Sequence, residues 1–168
     1  TKVGQKADTT ITGKPANLID ADGNVRAPET YDELLAYQEL LTVTESGKIT
    51  QLGFDVNIGN CKIENVIFAN GGEFFDADGN PIVTTDPGVR KGFEIWHELT
   101  HTLSSAKVNA FEDTAGDNTT NLFWSGLVGL MIATNEIPWQ NDALGDAKIN
   151  LGAAPVPYNN IEENHYNF

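Results

Sequence analysis

Residues 97–101, His97-Glu98-Leu99-Thr100-His101, fit the pattern His-Glu-x-x-His. Two histidines one helical turn apart can ligate Zn²⁺, and the glutamate between them can take a proton from metal-bound water, which is the chemistry of a metallopeptidase. Helical periodicity weighs against that use. At about 100° per residue the apolar face of this helix centres near Trp96 and Leu103, while His97 and His101 lie about 110° and 150° away, on the polar side with Arg90 and Glu94. A zincin also requires a third protein ligand, and no His or Gly follows at metzincin spacing, nor does an Asn-Glu-x-x-Ser-Asp run. Glu112, Asp113, Asp117 and His165 are the conceivable donors. The motif is read as a solvated helical face, and a zinc metallopeptidase using His97, Glu98 and His101 is the alternative function.

Two runs of Asp-Ala-Asp-Gly-Asn, at 20–24 and 76–80, place oxygen donors at alternate positions as a calcium loop does. An EF-hand loop then needs Gly at its sixth position and Glu at its twelfth; counted from Asp76 these are Pro81 and Pro87, and from Asp20 they are Val25 and Tyr31. Turn chemistry accounts for both runs. Nucleophile elbows and phosphate loops are absent, and Glu162-Glu163 reads as solvated surface. No catalytic residue, metal or cofactor is expected.

The elements that would carry these residues are those of one domain. The chain has 168 residues, 40% of them hydrophobic, enough for one core of ordinary size. Ten Lys+Arg against 24 Asp+Glu give a net charge of −14 with no basic cluster, which excludes nucleic acid and an anionic membrane surface as partners. No stretch reaches the roughly 20 apolar residues of a spanning helix. The single cysteine, Cys61, excludes an internal disulfide framework. Thr1–Ile11 lacks an apolar leader and an initiating Met, and is expected to be an internal cut or a processed end.

Residues 1–29 read as an irregular lead-in, rich in Gly, Pro and Asp. Thr30-Tyr31-Asp32-Glu33 has capping-box spacing and predicts an amphipathic helix to about Leu41. Ile49–Val56 predicts a strand, and Ile63, Val66 and Ile67 a helix stopped by Gly71-Gly72. Phe74-Phe75 and Ile82-Val83 flank Asp78-Gly79 as a hairpin, before Asp86-Pro87 opens a helix with Val89, Gly92, Phe93, Trp96, Leu99 and Leu103 inward. A polar turn region is expected through Glu112–Asn118, then a short helix leading into a strand at Leu130-Met131-Ile132, and a last strand at 149–154. Strands near 50–56, 130–134 and 149–154 in one sheet, with helices between them, predict an α/β fold.

Four segments, in order, carry a family resemblance. Pro28-Glu29-Thr30-Tyr31-Asp32-Glu33-Leu34 is similar to a Pro-x-Thr-Trp-Asp-Glu-Leu helix start, with Tyr31 at the Trp position. Phe68-Ala69-Asn70-Gly71-Gly72, the Asp76–Asn80 hairpin and Asp86-Pro87-Gly88-Val89 follow; then Phe123 to Ile132 resembles Phe-x-x-Gly-Lys-x-Ala-Met, with Leu127 for Lys and Gly129 for Ala; then Leu151 to Tyr158 resembles a Pro-rich exit. Together they resemble the extracellular solute-binding proteins of family 1, which serve ABC sugar importers.

The resemblance implies a single lobe of a two-lobed, periplasmic-binding-protein-like α/β fold, with residues 30–158 as the second lobe and 159–168 as an exit toward a missing first lobe. It implies an extracytoplasmic protein, a bacterial surface lipoprotein or a periplasmic one, that captures a sugar or other small polar solute and docks on ABC permease membrane subunits. Sugar capture needs an aromatic face against the ring's C–H surface and polar groups for its hydroxyls, set on loops at strand ends. Asp55, Asn57 and Asn60 after the first strand, and Asn135, Glu136 and Trp139 after Ile132, are the candidate ligand-binding residues. Turn-forming, capping and core packing are their purely structural roles.

Overall fold

The computed structural model describes residues 9–11, 14–16, 22, 26–116 and 118–159. Helix α1 (Tyr31–Leu41) begins where Thr30 Oγ1 accepts the Glu33 N–H at 3.1 Å, while the Glu33 carboxylate accepts the Glu29 N–H at 2.8 Å and pairs with Arg26. The reciprocal capping box expected from the spacing is therefore shifted back one residue. Within the stretch read as lead-in, β1 (Thr9–Ile11) and β2 (Lys14–Ala16) form an antiparallel pair. A second pair, β3 (Val43–Glu45) and β4 (Lys48–Gln51), closes on Ser46 at φ 50° and Gly47 at φ 81°, both in the left-handed region that a tight hairpin turn requires.

Helix α2 (Ile63–Phe68) ends as a Schellman motif: Gly71, at φ 72°, donates to Phe68 O and Gly72 donates to Ile67 O, each at 3.0 Å. After the 74–82 hairpin, Asp86 Oδ1 accepts the Val89 N–H at 2.8 Å and Pro87 occupies the first turn of α3 (Pro87–His101). Helix α3 turns Val89, Gly92, Ile95 and Leu99 inward. Gly92 packs directly on α2, since a Cβ there would fall 2.6 Å from Ile67 Cγ1 and 2.7 Å from Ile67 Cα. Phe93, expected inward, is 53% exposed and Ile95 takes the inner position, because the 89-92-95-99 row is the one that meets α2.

Helix α4 (Ser105–Glu112) takes in Glu112, the start of the expected polar turn, and buries only Val108 and Phe111. Helix α5 (Thr120–Trp124) again ends as a Schellman motif, with Gly126 at φ 71° and Leu127 donating to Leu122 O at 2.9 Å. That turn delivers Leu127 to the first predicted strand. Leu52 N–H donates to Leu127 O, and Leu52 O and Gly53 O accept from Gly129 and Leu130, all at 2.9 Å and in parallel sense. Helix α6 (Ile137–Ala143) follows.

The fold is thus mixed helix and strand, with small sheets. The strands expected at 50–56 and 130–134 do not form as one sheet: only 50–51 lies in a strand, the end of β4, and the two stretches touch through isolated parallel bridges at Leu52–Val128 and Gly59–Ile132. The third does not form: 149–154 is coil, because Asn141 satisfies Ile149 at both its N–H and its C=O, each at 3.0 Å, leaving no ladder to extend. Two larger cores form around these segments, beside a small third cluster of Ala36, Tyr37, Leu40 and Leu41. One joins Tyr31, Leu34, Leu35, Phe54, Val56, Val66, Ile95 and Leu99; the other joins Ile49, Leu52, Ile58, Val108, Phe111, Leu122, Phe123 and Val128. Each such large side chain, fully buried, contributes about 1.5–3 kcal/mol.

Candidate functional site

The two parallel segments end on loops that lie side by side. Asn60 N–H donates to Ile132 O at 2.7 Å, and Gly59, at φ 93°, allows that approach: a Cβ there would sit 2.4 Å from Ile132 O and 2.5 Å from Met131 Cγ. Any other residue would push the two loops apart. The edge so formed carries Asn57 and Asn60 from one loop and Asn135 and Glu136 from the other, all four exposed.

Trp139, on the helix that follows, is 72% exposed, the most exposed large apolar side chain among the described residues. Helix α6 holds it out, and α6 is itself fixed by buried Asn141, whose two hydrogen bonds to Ile149 tie the helix to the following segment. Glu136, at the start of α6, accepts from the Thr134 hydroxyl and from its own N–H, which hold its carboxylate below the usual range. It presents a fixed negative charge at the edge.

Asp55 lies beneath this edge instead of on it. It is 5% exposed, and its Oδ1 accepts the Asn57 N–H at 2.8 Å while its O accepts the Ile58 N–H at 3.3 Å, so one residue folds the whole 55–58 turn. Its carboxyl and that of Glu112 on α4 influence one another electrostatically. Burial pushes both acids up; the Asn57 N–H partly offsets this for Asp55, whereas the charge of Asp55 adds to burial for Glu112, which reaches about 7. Nothing in the spacing of residues 55 and 112 signalled this pair.

His97 and His101 project from the exposed side of α3, with ring centroids 4.1 Å apart and the rings stacked. His101 Nδ1 lies 2.9 Å from His97 O and 2.8 Å from Thr100 Oγ1. Among the described residues no group of three or more His, Cys, Asp or Glu side chains is arranged to hold a metal. The Asp76–Asn80 tip folds on itself, Asp76 accepting from the N–H groups of Asp78 and Asn80 and from the Asn80 side chain, which lowers its carboxylate. Most of the first Asp-Ala-Asp-Gly-Asn run, and the possible donors Asp117 and His165, lie outside the described residues.

Among the described residues no helix is long and apolar enough to cross a membrane. Neither a protein-family model nor a curated protein matches the sequence. A solved structure described as "CpMnBP1 with Mannobiose Bound" is similar, with a TM-score of 0.63 and 27% identity over 79% of this chain. The chain covers 34% of that protein, about a third of its length.

Proposed function

We propose that this chain is one lobe of the substrate-binding component of an ABC importer, and that it presents one wall of a cleft for a sugar or oligosaccharide. The observation that carries the reading is the likeness, over 79% of the chain, to a protein solved with mannobiose bound. The pairing of the Gly59 and Ile132 loops supports it, because it brings two polar loops together where a few polar groups can meet a small solute. Trp139 would stack on the sugar ring, and Asn57, Asn60, Asn135 and Glu136 would bond its hydroxyls, with Asp55 setting the turn under Asn57.

Further support comes from the place where the unit's two ends meet. Tyr158 N–H donates to Glu29 O at 3.0 Å and Asn159 Oδ1 accepts the Tyr31 N–H at 3.1 Å, so residues 30–158 enter and leave at one place. A unit with adjoining ends can be carried as an insertion in a larger polypeptide, as two-lobed binders with chain crossings require. In this reading the protein performs no bond chemistry, acts outside the cytoplasm as a periplasmic or lipid-anchored protein, and passes solute to permease subunits.

Titration calorimetry with mannobiose and a panel of other mono- and oligosaccharides tests the proposal, using this chain alone and the polypeptide that joins it to a second lobe. Binding by the two-lobed form, weak or no binding by the single wall, and loss of affinity on Trp139→Ala are expected. A two-lobed form that binds no sugar refutes the function; unchanged affinity in Trp139→Ala refutes the stacking role.

A further inference from the structure

Helix α3 carries two of the three histidines of the chain, His97 and His101, one turn apart on its exposed side. Their rings are stacked, with centroids 4.1 Å apart and planes 27° from parallel. The hydrogen bonding of His101 settles which of its ring nitrogens is available. Nδ1 lies 2.9 Å from His97 O and 2.8 Å from Thr100 Oγ1. A backbone carbonyl only accepts, and the Thr100 hydroxyl already donates to Trp96 O at 2.8 Å, so Nδ1 carries the hydrogen. The lone pair is then on Nε2, which bonds no described group. This is the arrangement of a metal-binding histidine, whose second nitrogen donates to a backbone carbonyl and so fixes both tautomer and ring. The His97 ring has no hydrogen-bond partner among the described residues, so it can turn to bring a nitrogen beside that lone pair. Two nitrogens at about 2.0–2.1 Å from one metal stand roughly 2.8–3.4 Å apart. Rings already face to face at 4.1 Å meet that requirement by a small tilt, with the backbone of α3 unmoved.

We propose that His97 and His101 form a two-ligand chelate for a divalent transition cation on the outside of α3, with water in the remaining positions. The expectation of no metal rested on the missing third protein ligand, which a peptidase or a closed zinc site needs and a solvent-completed chelate does not. Imidazole ligands suit Cu²⁺, Ni²⁺ and Zn²⁺, with Cu²⁺ bound most tightly, and not Ca²⁺ or Mg²⁺. Val89, Gly92, Ile95 and Leu99 hold the inner face of α3, so the two histidines are placed before the metal arrives. The net charge of −14 favours the approach of a cation. Glu94, one turn before His97, pairs with Arg90 at 3.7 Å and completes no three-residue group with the histidines. The site therefore adds no water-activating role for Glu98. It is independent of the sugar reading, whose residues lie on other segments.

The test uses the chain without any added histidine tag, and the metal alone. Calorimetric titration at neutral pH should give a single Cu²⁺ site per chain, weaker binding of Ni²⁺ and Zn²⁺, and none of Ca²⁺. His97→Gln and His101→Gln each remove one ring from an exposed helical position. Each should weaken Cu²⁺ by at least about tenfold, since losing even a supporting partner of a metal ligand costs about 10–100-fold. The third histidine is the internal control, and His165→Gln should leave the affinity unchanged. In the unmodified chain, substoichiometric Cu²⁺ should broaden the NMR signals of the Glu94 to Thr102 amides before any others, a reading that needs no variant to fold. No Cu²⁺ binding, affinity unchanged in both ring variants, affinity lost in His165→Gln, or broadening that begins outside α3 overturns the proposal.

Discussion

Removing one oxygen atom from the first core should make the protein more stable. Tyr31 is 0% exposed, its ring packed among Leu34, Leu35, Phe54 and Leu99, and its hydroxyl is buried without a hydrogen-bond partner among the described residues. An unsatisfied buried hydroxyl costs about 1–3 kcal/mol. Against that gain, Tyr31→Phe leaves a void on the order of 10 Å³, worth about 0.2 kcal/mol at the usual cavity cost. The ring contacts stay. The net expectation is a gain of at least about 1 kcal/mol, or roughly 2–4 °C in Tm for a chain of this size. Urea unfolding at pH 7, followed by tryptophan fluorescence, should show a higher midpoint at an unchanged slope. The alkaline side provides a second reading. Burial pushes the Tyr31 phenol above its ordinary value, so the unfolded state ionises first and wild-type stability falls as pH rises past about 10. The Phe variant should lose part of that fall, Tyr37 and Cys61 retaining the rest. A variant less stable than wild type by about 0.5 kcal/mol or more would show that the hydroxyl has a hydrogen-bond partner.

Gly92→Ala improves helix propensity by about 1 kcal/mol but drives a Cβ to 2.7 Å from the Ile67 backbone, so thermal denaturation should show a net loss of about 1–2 kcal/mol. A gain would mean that α2 and α3 separate freely. Gln38→Met removes donors from Phe54 O (3.2 Å) and Leu99 O (2.9 Å); two unpaired buried carbonyls outweigh the relief of the partnerless Gln38 Oε1, and chemical denaturation should report a loss of about 1–3 kcal/mol. Burial first, then the charge of Asp55, raises Glu112 to about 7 in the folded state, so the native protein holds a proton that the unfolded chain releases near 4.5. Stability should therefore decline as pH rises from about 4.5 to 7 and level off above, and Glu112→Gln should flatten that decline. A wild-type profile flat across the window contradicts the sign.

The helices were legible where the sequence supplies both a start and a stop. Thr30 with Glu33, Asp86 with Pro87, and Gly71-Gly72 each satisfy end groups locally, so no distant partner is needed to read them. Helix α4 was missed because it buries only Val108 and Phe111, and α6 because its one buried residue is the polar Asn141. The predicted strand at 149–154 failed for a related reason: an apolar Ile149 signals burial, but an asparagine side chain took the backbone bonds a neighbouring strand would have made. Five of the six candidate edge residues are exposed, as loop polarity implies. Asp55 is buried, because its carboxylate turns inward to accept the Asn57 N–H, a use that polarity alone does not reveal.

The Leu52–Val128 bridge joins segments about 75 residues apart, and this separation bears on the order in which the chain can assemble. The first core needs little beyond residues 31–99 and can close early. Leu52 and Ile58, which complete the second core with Val108, Phe111, Leu122 and Val128, must wait for the later half. At a synthesis rate of about 5–20 residues per second the delay is roughly 4–15 s, during which those side chains face solvent or a chaperone. Closing so long a loop also slows spontaneous refolding relative to the helical first half. Aggregation during expression should therefore originate in this waiting interval, and slower translation across residues 60–128 should worsen it.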